Sequence, residues 1–114
     1  MAVAAHPFRR QRPTDEQVIQ EKLCHAVESL NGRNSFAENA AVSDWLRRYD
    51  LIQCGGSDAH TPEEVGTFGT RFFNPILSRI DLIRALKNNA CRPEALGFKA
   101  APMDTRAYAA ANFR

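Results

Sequence analysis

The sequence predicts an α/β fold, with about four mostly parallel strands alternating with helices. Three observations lead there. Short apolar or β-branched runs recur at 1–5, 25–30, 51–54 and 67–73. Between them lie stretches with helical spacing, several opened by a Ser or Thr capping residue. Strands that alternate with helices are joined by crossovers, which make neighbouring strands parallel and cover the sheet with helices.

The first run, "MAVAA", reads as a buried strand ending at His6, because Pro7 pushes the residue before it toward extended geometry. "FRRQRP" is a basic loop. Thr14 and Gln17 form a capping box that predicts a helix over 15–24. "HAVESL", 25–30, reads as the second strand, closed by the turn signal "NGRN". Ser35 and Glu38 make a second capping box. Phe36, Asn39, Ala40, Trp45, Leu46 and Tyr49 then recur at helical spacing over 36–49. "LIQC", 51–54, is a short apolar strand ending at Gly55-Gly56. Thr61 and Glu64 form a third box, with Pro62 at the favoured first position, and Gly66 stops that single turn. "TFGTRFF", 67–73, reads as a strand. Ser78 caps "RIDLIRALKNN", whose Ile80, Leu82, Ile83 and Leu86 share a face, and Asn88 or Asn89 ends it. Residues 94–114 lack sustained periodicity and read as a tail on a single domain over 1–93.

Composition narrows the function classes. Hydrophobic residues at 44% and charged residues at 25% fit a globular domain and exclude a disordered chain. A net charge of +2, with no Lys/Arg run longer than a pair, is short of what a nucleic-acid reader uses. No apolar run approaches the roughly 18 residues of a membrane span, and no secretory signal pattern opens the chain. Cys24, Cys54 and Cys91 are odd in number and far apart, which reads as reduced thiols in a cytoplasmic compartment. None has a histidine at a spacing that would make it a catalytic thiol.

In a β/α fold, ligands gather at the C-terminal ends of the strands. His6 ends the first strand, Glu28 and Asn31 close the second, and Asp58 and His60 follow the third. In extended chain, residues two apart point the same way, so Asp58 and His60 can offer a carboxylate and an imidazole to one ion. Such oxygen and nitrogen donors suit Zn, Mn or Fe. Taken alone, "GGSDAH" reads at least as well as an Asx-type turn with a surface histidine. His6 alone equally suits a hydrogen-bonded histidine at a strand end. Arg9 suits bidentate contact with a phosphate, or a solvated basic loop. Glu28 suits a partner orienting a histidine, or a carboxylate paired with an arginine. His25 sits at the opposite end of its strand and reads as structural.

Together, "AHPFRR", "AVESLNGRNSFAENAAVSDWL" and "CGGSDAHTPEEVGTFGTRF" resemble, in order, the last third of a PHP domain, the polymerase and histidinol phosphatase family of metal-dependent phosphoesterases. The resemblance covers residues 2–92, and "GSDAHTPEEVG" is its most specific part. It implies a partial β/α barrel with divalent metal at the C-terminal rim, Zn or Mn with Fe also suited. It implies hydrolysis of a phosphate ester, on a phosphorylated small molecule or nucleotide, by metal-activated water. By matching segments, His6, Asp58 and His60 resemble metal ligands and Arg9 a position facing the substrate phosphate. Glu28 and Asn31 resemble supporting positions behind the ligands. No residue is implied as the catalytic acid or base. The H-x-H pair that opens such a domain has no counterpart here, and Met1 falls within what would be a middle strand. The three ligands in hand can hold one zinc with an open position, but cannot build a multi-metal clamp. An incomplete barrel also leaves two sheet edges. A second copy, another chain, or "RAYAAANF" from the tail is expected to cover them. A catalytically inactive remnant, serving as a metal-binding or protein-interaction module, is the alternative expectation.

Overall fold

Strand β2, Ala26–Asn31, organises the structure. It lies between β1, Val3–Ala4, and β3, Ile52–Gly56, and both pairings are parallel. Ala26, Val27 and Leu30 are completely buried, as expected of a strand covered on both faces. The computed structural model describes residues 1–96. Along the chain, α1 (Gln17–Gln20) links β1 to β2, and α2 (Phe36–Arg48) links β2 to β3. A 3-10 turn, Pro62–Glu64, precedes β4 (Phe68–Phe72). Helix α3 (Arg79–Lys87) then leads to β5 (Cys91–Ala95).

The predicted alternation holds through β3 and then changes. Strands β4 and β5 pair antiparallel, from Phe68↔Ala95 to Phe72↔Cys91. This corrects the expected mostly parallel arrangement, and the described strands form no closed barrel. Strand β5 was not expected, and it crosses the residue 93/94 boundary drawn from the sequence. The two sheets meet through side chains. The Thr70 hydroxyl donates to Gly55 O at 2.8 Å and accepts from Gly55 N at 3.0 Å. The outer edge of β3 is thereby partly satisfied without a further ladder. Residues 97–114, which hold the expected packing segment "RAYAAANF", lie outside the described residues.

Helix α2 forms as its sequence dictates. Ser35 Oγ accepts from Glu38 N, and the Glu38 carboxylate accepts from Ser35 N, so both halves of the capping box are made. Val42 and Trp45 face the sheet and join Ala4, Ile19 and Val27 in the main core, and Phe8 meets Trp45 edge-on at 4.7 Å. Phe36, expected on that face, is half exposed, and Asn39 is buried. Helix α3 begins as predicted, with Ser78 Oγ accepting from Asp81 N. None of its residues is fully buried, and Ile80 on the expected packing face is exposed.

Two caps differ from expectation. The first helix is shorter than 15–24, and Thr14 does not cap it. Thr14 N donates to Pro7 O at 2.7 Å, which holds it in the preceding loop, and Asp15 Oδ1 takes Gln17 N instead. Thr61 makes no side-chain cap either. The Glu64 carboxylate reaches back past it, accepting from His60 N, the residue before the N-cap, at 2.6 Å. Farther along, Arg48 and Tyr49 donate to Glu16 and hold its carboxyl down at about 2, which pins the end of α2 to the start of α1. No helix among the described residues is long and apolar enough to cross a membrane.

Where β3 meets the β4–β5 pair, Gly55 admits no side chain. A Cβ there would lie 2.6 Å from Gly69 O and 3.1 Å from Pro93 Cβ. Gly55→Ala is therefore expected to destabilise the fold by about 1–3 kcal/mol. At Gly69 a new methyl would meet Leu96 Cδ1 at an ordinary 3.4 Å, so Gly69→Ala should stay within about 0.5 kcal/mol of wild type. Urea unfolding of the two variants side by side checks the contrast.

Candidate functional site

The C-terminal ends of the three parallel strands converge, and a one-residue irregularity in β2 decides what they present. Glu28 pairs with Cys54, but Leu30 already pairs with Gly55, so Ser29 is an extra residue in β2. In a regular strand, residues three apart face opposite sides. The bulge cancels that alternation. Glu28 and Asn31 therefore meet, with Asn31 Nδ2 donating to Glu28 Oε2 at 2.9 Å. Glu28 Oε2 also accepts from His6 N at 2.8 Å, which ties the end of β1 to β2. Gly56 leaves room for this carboxylate, since a Cβ there would sit 2.5 Å from Glu28 Oε1.

Arg9 reaches in from the basic loop. Its Nη2 donates to Asp58 Oδ2 at 2.6 Å, to Asn31 Oδ1 at 2.9 Å and to Asn34 Oδ1 at 3.0 Å, and its Nε donates to Asn34 Oδ1 at 3.1 Å. Asn31 Nδ2 donates to the same Asp58 oxygen, Oδ2, at 3.3 Å. Burial pushes the Asp58 carboxyl up, but the hydrogen bonds from Arg9 and Asn31 outweigh it and leave the group below the ordinary aspartate range. Behind Arg9, Asn39 joins both asparagines. Its Oδ1 accepts from Asn31 N and from Asn34 Nδ2, and its Nδ2 donates to Asn31 O. Asn31, Asn34 and Asn39 are all buried.

The site residues expected from the sequence thus fall into two groups. Arg9, Glu28, Asn31 and Asp58 are joined by direct hydrogen bonds, and His6 joins them through its backbone N–H. His6 Nδ1 is buried and has no hydrogen-bond partner. His60 lies at the margin with its side chain 61% exposed, Nδ1 2.7 Å from Asp58 O and 3.9 Å from Asp58 Oδ1. The Asp58 backbone is left-handed at φ 52°, not extended, so the imidazole folds back on its neighbour's carbonyl. His6 is also left-handed, at φ 34°, a conformation that non-glycine residues keep only where the surroundings impose it. Asn34 and Asn39 were not foreseen. The signal for Asn39 was a polar side chain at a core-facing helical position, and Asn34 lay in a segment read only as a turn. His25 N donates to Ala2 O and His25 O accepts from Ile52 N, which extends the strand ladder at the end opposite the site.

These residues fit a divalent ion in donor type but not in number. A buried imidazole nitrogen without a partner and an ionised carboxylate suit such an ion. Among the described residues, however, no three His, Cys, Asp or Glu side chains come together to hold one. Asp58 Oδ2 is taken by Arg9, and His60 Nδ1 faces a carbonyl. The cysteines are free thiols, and burial pushes Cys54 up to about 12, which suits packing and not nucleophilic chemistry.

Residues 36–91 match a family model described as PHP-associated. No curated protein and no solved structure matches the chain. The matched segment runs from the start of α2 to the start of β5. It includes Asp58 and His60 and leaves His6, Arg9, Glu28 and Asn31 outside.

Asp58 also has a definite pH signature. Its folded pKa lies below its unfolded value, so its contribution to stability is complete above the ordinary 3.8 and is lost as pH falls through the lower folded value. Asp58→Asn removes that contribution. Urea unfolding should show wild type more stable than the variant at about pH 7, with the gap narrowing below about pH 4. A gap that stays constant to about pH 2 would mean that the ionised carboxylate is not what Arg9 stabilises.

Proposed function

Starting from the PHP-associated match over residues 36–91, which agrees with the C-terminal portion of a PHP-family domain, we propose that this chain supplies part of a metal-dependent phosphoesterase centre. Its substrate class is a phosphorylated small molecule or nucleotide. The observation that carries the reading is the buried, unpartnered His6 Nδ1 at the same rim as Asp58. An orphaned buried nitrogen is destabilising unless something ligates it, and imidazole beside carboxylate suits Zn, Mn or Fe. His6, Asp58 and His60 are this chain's contribution to the metal. The remaining donors come from outside the described residues, from a second copy or another chain, which would also cover the free edge of β1. Glu28 and Asn31 act by holding His6 and Asp58 in place. Free thiols agree with a cytoplasmic setting.

A second reading is supported by one contact. The Arg9–Asp58 ion pair neutralises the carboxylate within the chain, as suits an inactive PHP-like remnant that serves as an interaction or metal-binding module.

Calorimetric titration with Mn2+ tests the proposal. The expected result is saturable binding by wild type that His6→Ala abolishes, with hydrolysis of para-nitrophenyl phosphate by the chain alone near background. No saturable binding would contradict the proposal. Metal-dependent hydrolysis by the chain alone, removed in His60→Ala, would show that its own donors suffice.

A further inference from the structure

We propose that α3 and the N-terminal ends of the parallel strands form a docking groove for an acidic, apolar segment of a partner protein. The groove lies at the end of the sheet opposite the rim and does not rest on the metal reading. Helix α3 has no buried residue. Ile80 is 64% exposed, and Leu77, just ahead of the helix, is 88% exposed. Large apolar side chains left this open on one face point to an interaction surface. A hollow of about 390 Å³ runs along that face, walled by Ile80 and Ile83 and edged by Arg84 and Lys87. A second hollow of about 400 Å³, lined by Met1, His25 and Ile52, also includes Lys87, so Lys87 stands between the two. Each is of the size that takes a bound group.

Charge decides the occupant. Arg84 and Lys87 lie in the last turn of α3, and the Arg84 side chain is 68% exposed. The Asp81 carboxylate is 3.9 Å from Arg84 and is turned to the helix start, where it accepts from Leu77 N. The face thus sets apolar side chains beside two cations, and it complements a segment that carries carboxylates next to apolar groups. A second copy docked through the same patch would bring like charges together. Residues 97–114 carry Lys99, Arg106 and Arg114 against Asp104, so they complement it no better. An anionic lipid surface would meet the charge, but a hollow between Ile80 and Ile83 suits a side chain that enters it.

The test is biolayer interferometry of the immobilised full chain with two probes. A random glutamate–tyrosine copolymer carries carboxylates beside aromatic groups, and polyglutamate carries the charge alone. The expected result is saturable binding of the copolymer, with polyglutamate at least about tenfold weaker. Ile80→Ser, and Arg84→Glu combined with Lys87→Glu, should each weaken copolymer binding at least about tenfold. Arg12→Glu, in the exposed basic loop after His6, controls for net charge and should bind like wild type. Circular dichroism verifies that each variant is folded, and Ile80→Ala replaces Ile80→Ser if the latter is not. No copolymer binding, or equal binding by wild type and Ile80→Ser, overturns the proposal. An equal loss in Arg12→Glu also overturns it, because the effect would then be one of net charge. Ile80-dependent binding to phosphatidylserine vesicles without copolymer binding would assign the face to a lipid surface instead. A wild-type dimer in sedimentation that Ile80→Ser converts to monomer would assign it to a second copy.

Discussion

Asn31 carries the convergence on which the rest of the site depends. Its backbone N–H and C=O bond to the Asn39 side chain, which fixes the end of β2 against α2. Its Oδ1 accepts from Arg9 and from Arg33 N, and its Nδ2 donates to Glu28 and Asp58. One fully buried amide thereby joins the end of β2 to the basic loop, to the segment after β3 and, through Glu28, to His6 at the end of β1. A buried amide is stabilising only when all its donors and acceptors are matched, so each partner constrains the others.

Charge follows from that geometry. The bulge at Ser29 turns Glu28 toward Asn31, and Asn31 holds Asp58 and Arg9 at one point. One arginine and two carboxylates then share a partly dry rim with an imidazole nitrogen that has no partner. The backbone bears the strain of this arrangement, with His6 and Asp58 both left-handed. Such strain persists where surrounding contacts over-determine it, as the hydrogen bonds to His6 N and Asp58 Oδ2 do here.

Much of the frame was legible in the sequence, because it rests on local chemistry. The Ser35 and Ser78 caps and the apolar strands at β2 and β3 came from residues that act on their immediate neighbours. The strand-end positions of His6, Glu28, Asn31 and Asp58 followed from the β/α alternation. What escaped depends on distant contacts. Thr14 has the right spacing for a cap, but Pro7 takes its N–H. Strand β5 contains Pro93, which argues against a strand until β4 lies beside it. Asn34 and Asn39 become site residues only when Arg9 and Asn31 arrive from elsewhere in the chain. For Asp58 and His60 the sequence leaves a ligand pair and an Asx-type turn with a surface histidine both open, and the left-handed Asp58 that directs the imidazole outward is not legible there.

Asn31 holds the rim and the fold together. Equilibrium urea unfolding of Asn31→Ala tests it most directly. The expected loss is at least about 3 kcal/mol, because the change leaves several buried donors and acceptors unmatched at once. A variant within about 0.5 kcal/mol of wild type would contradict it, and would mean that the partners of Asn31 satisfy themselves without it.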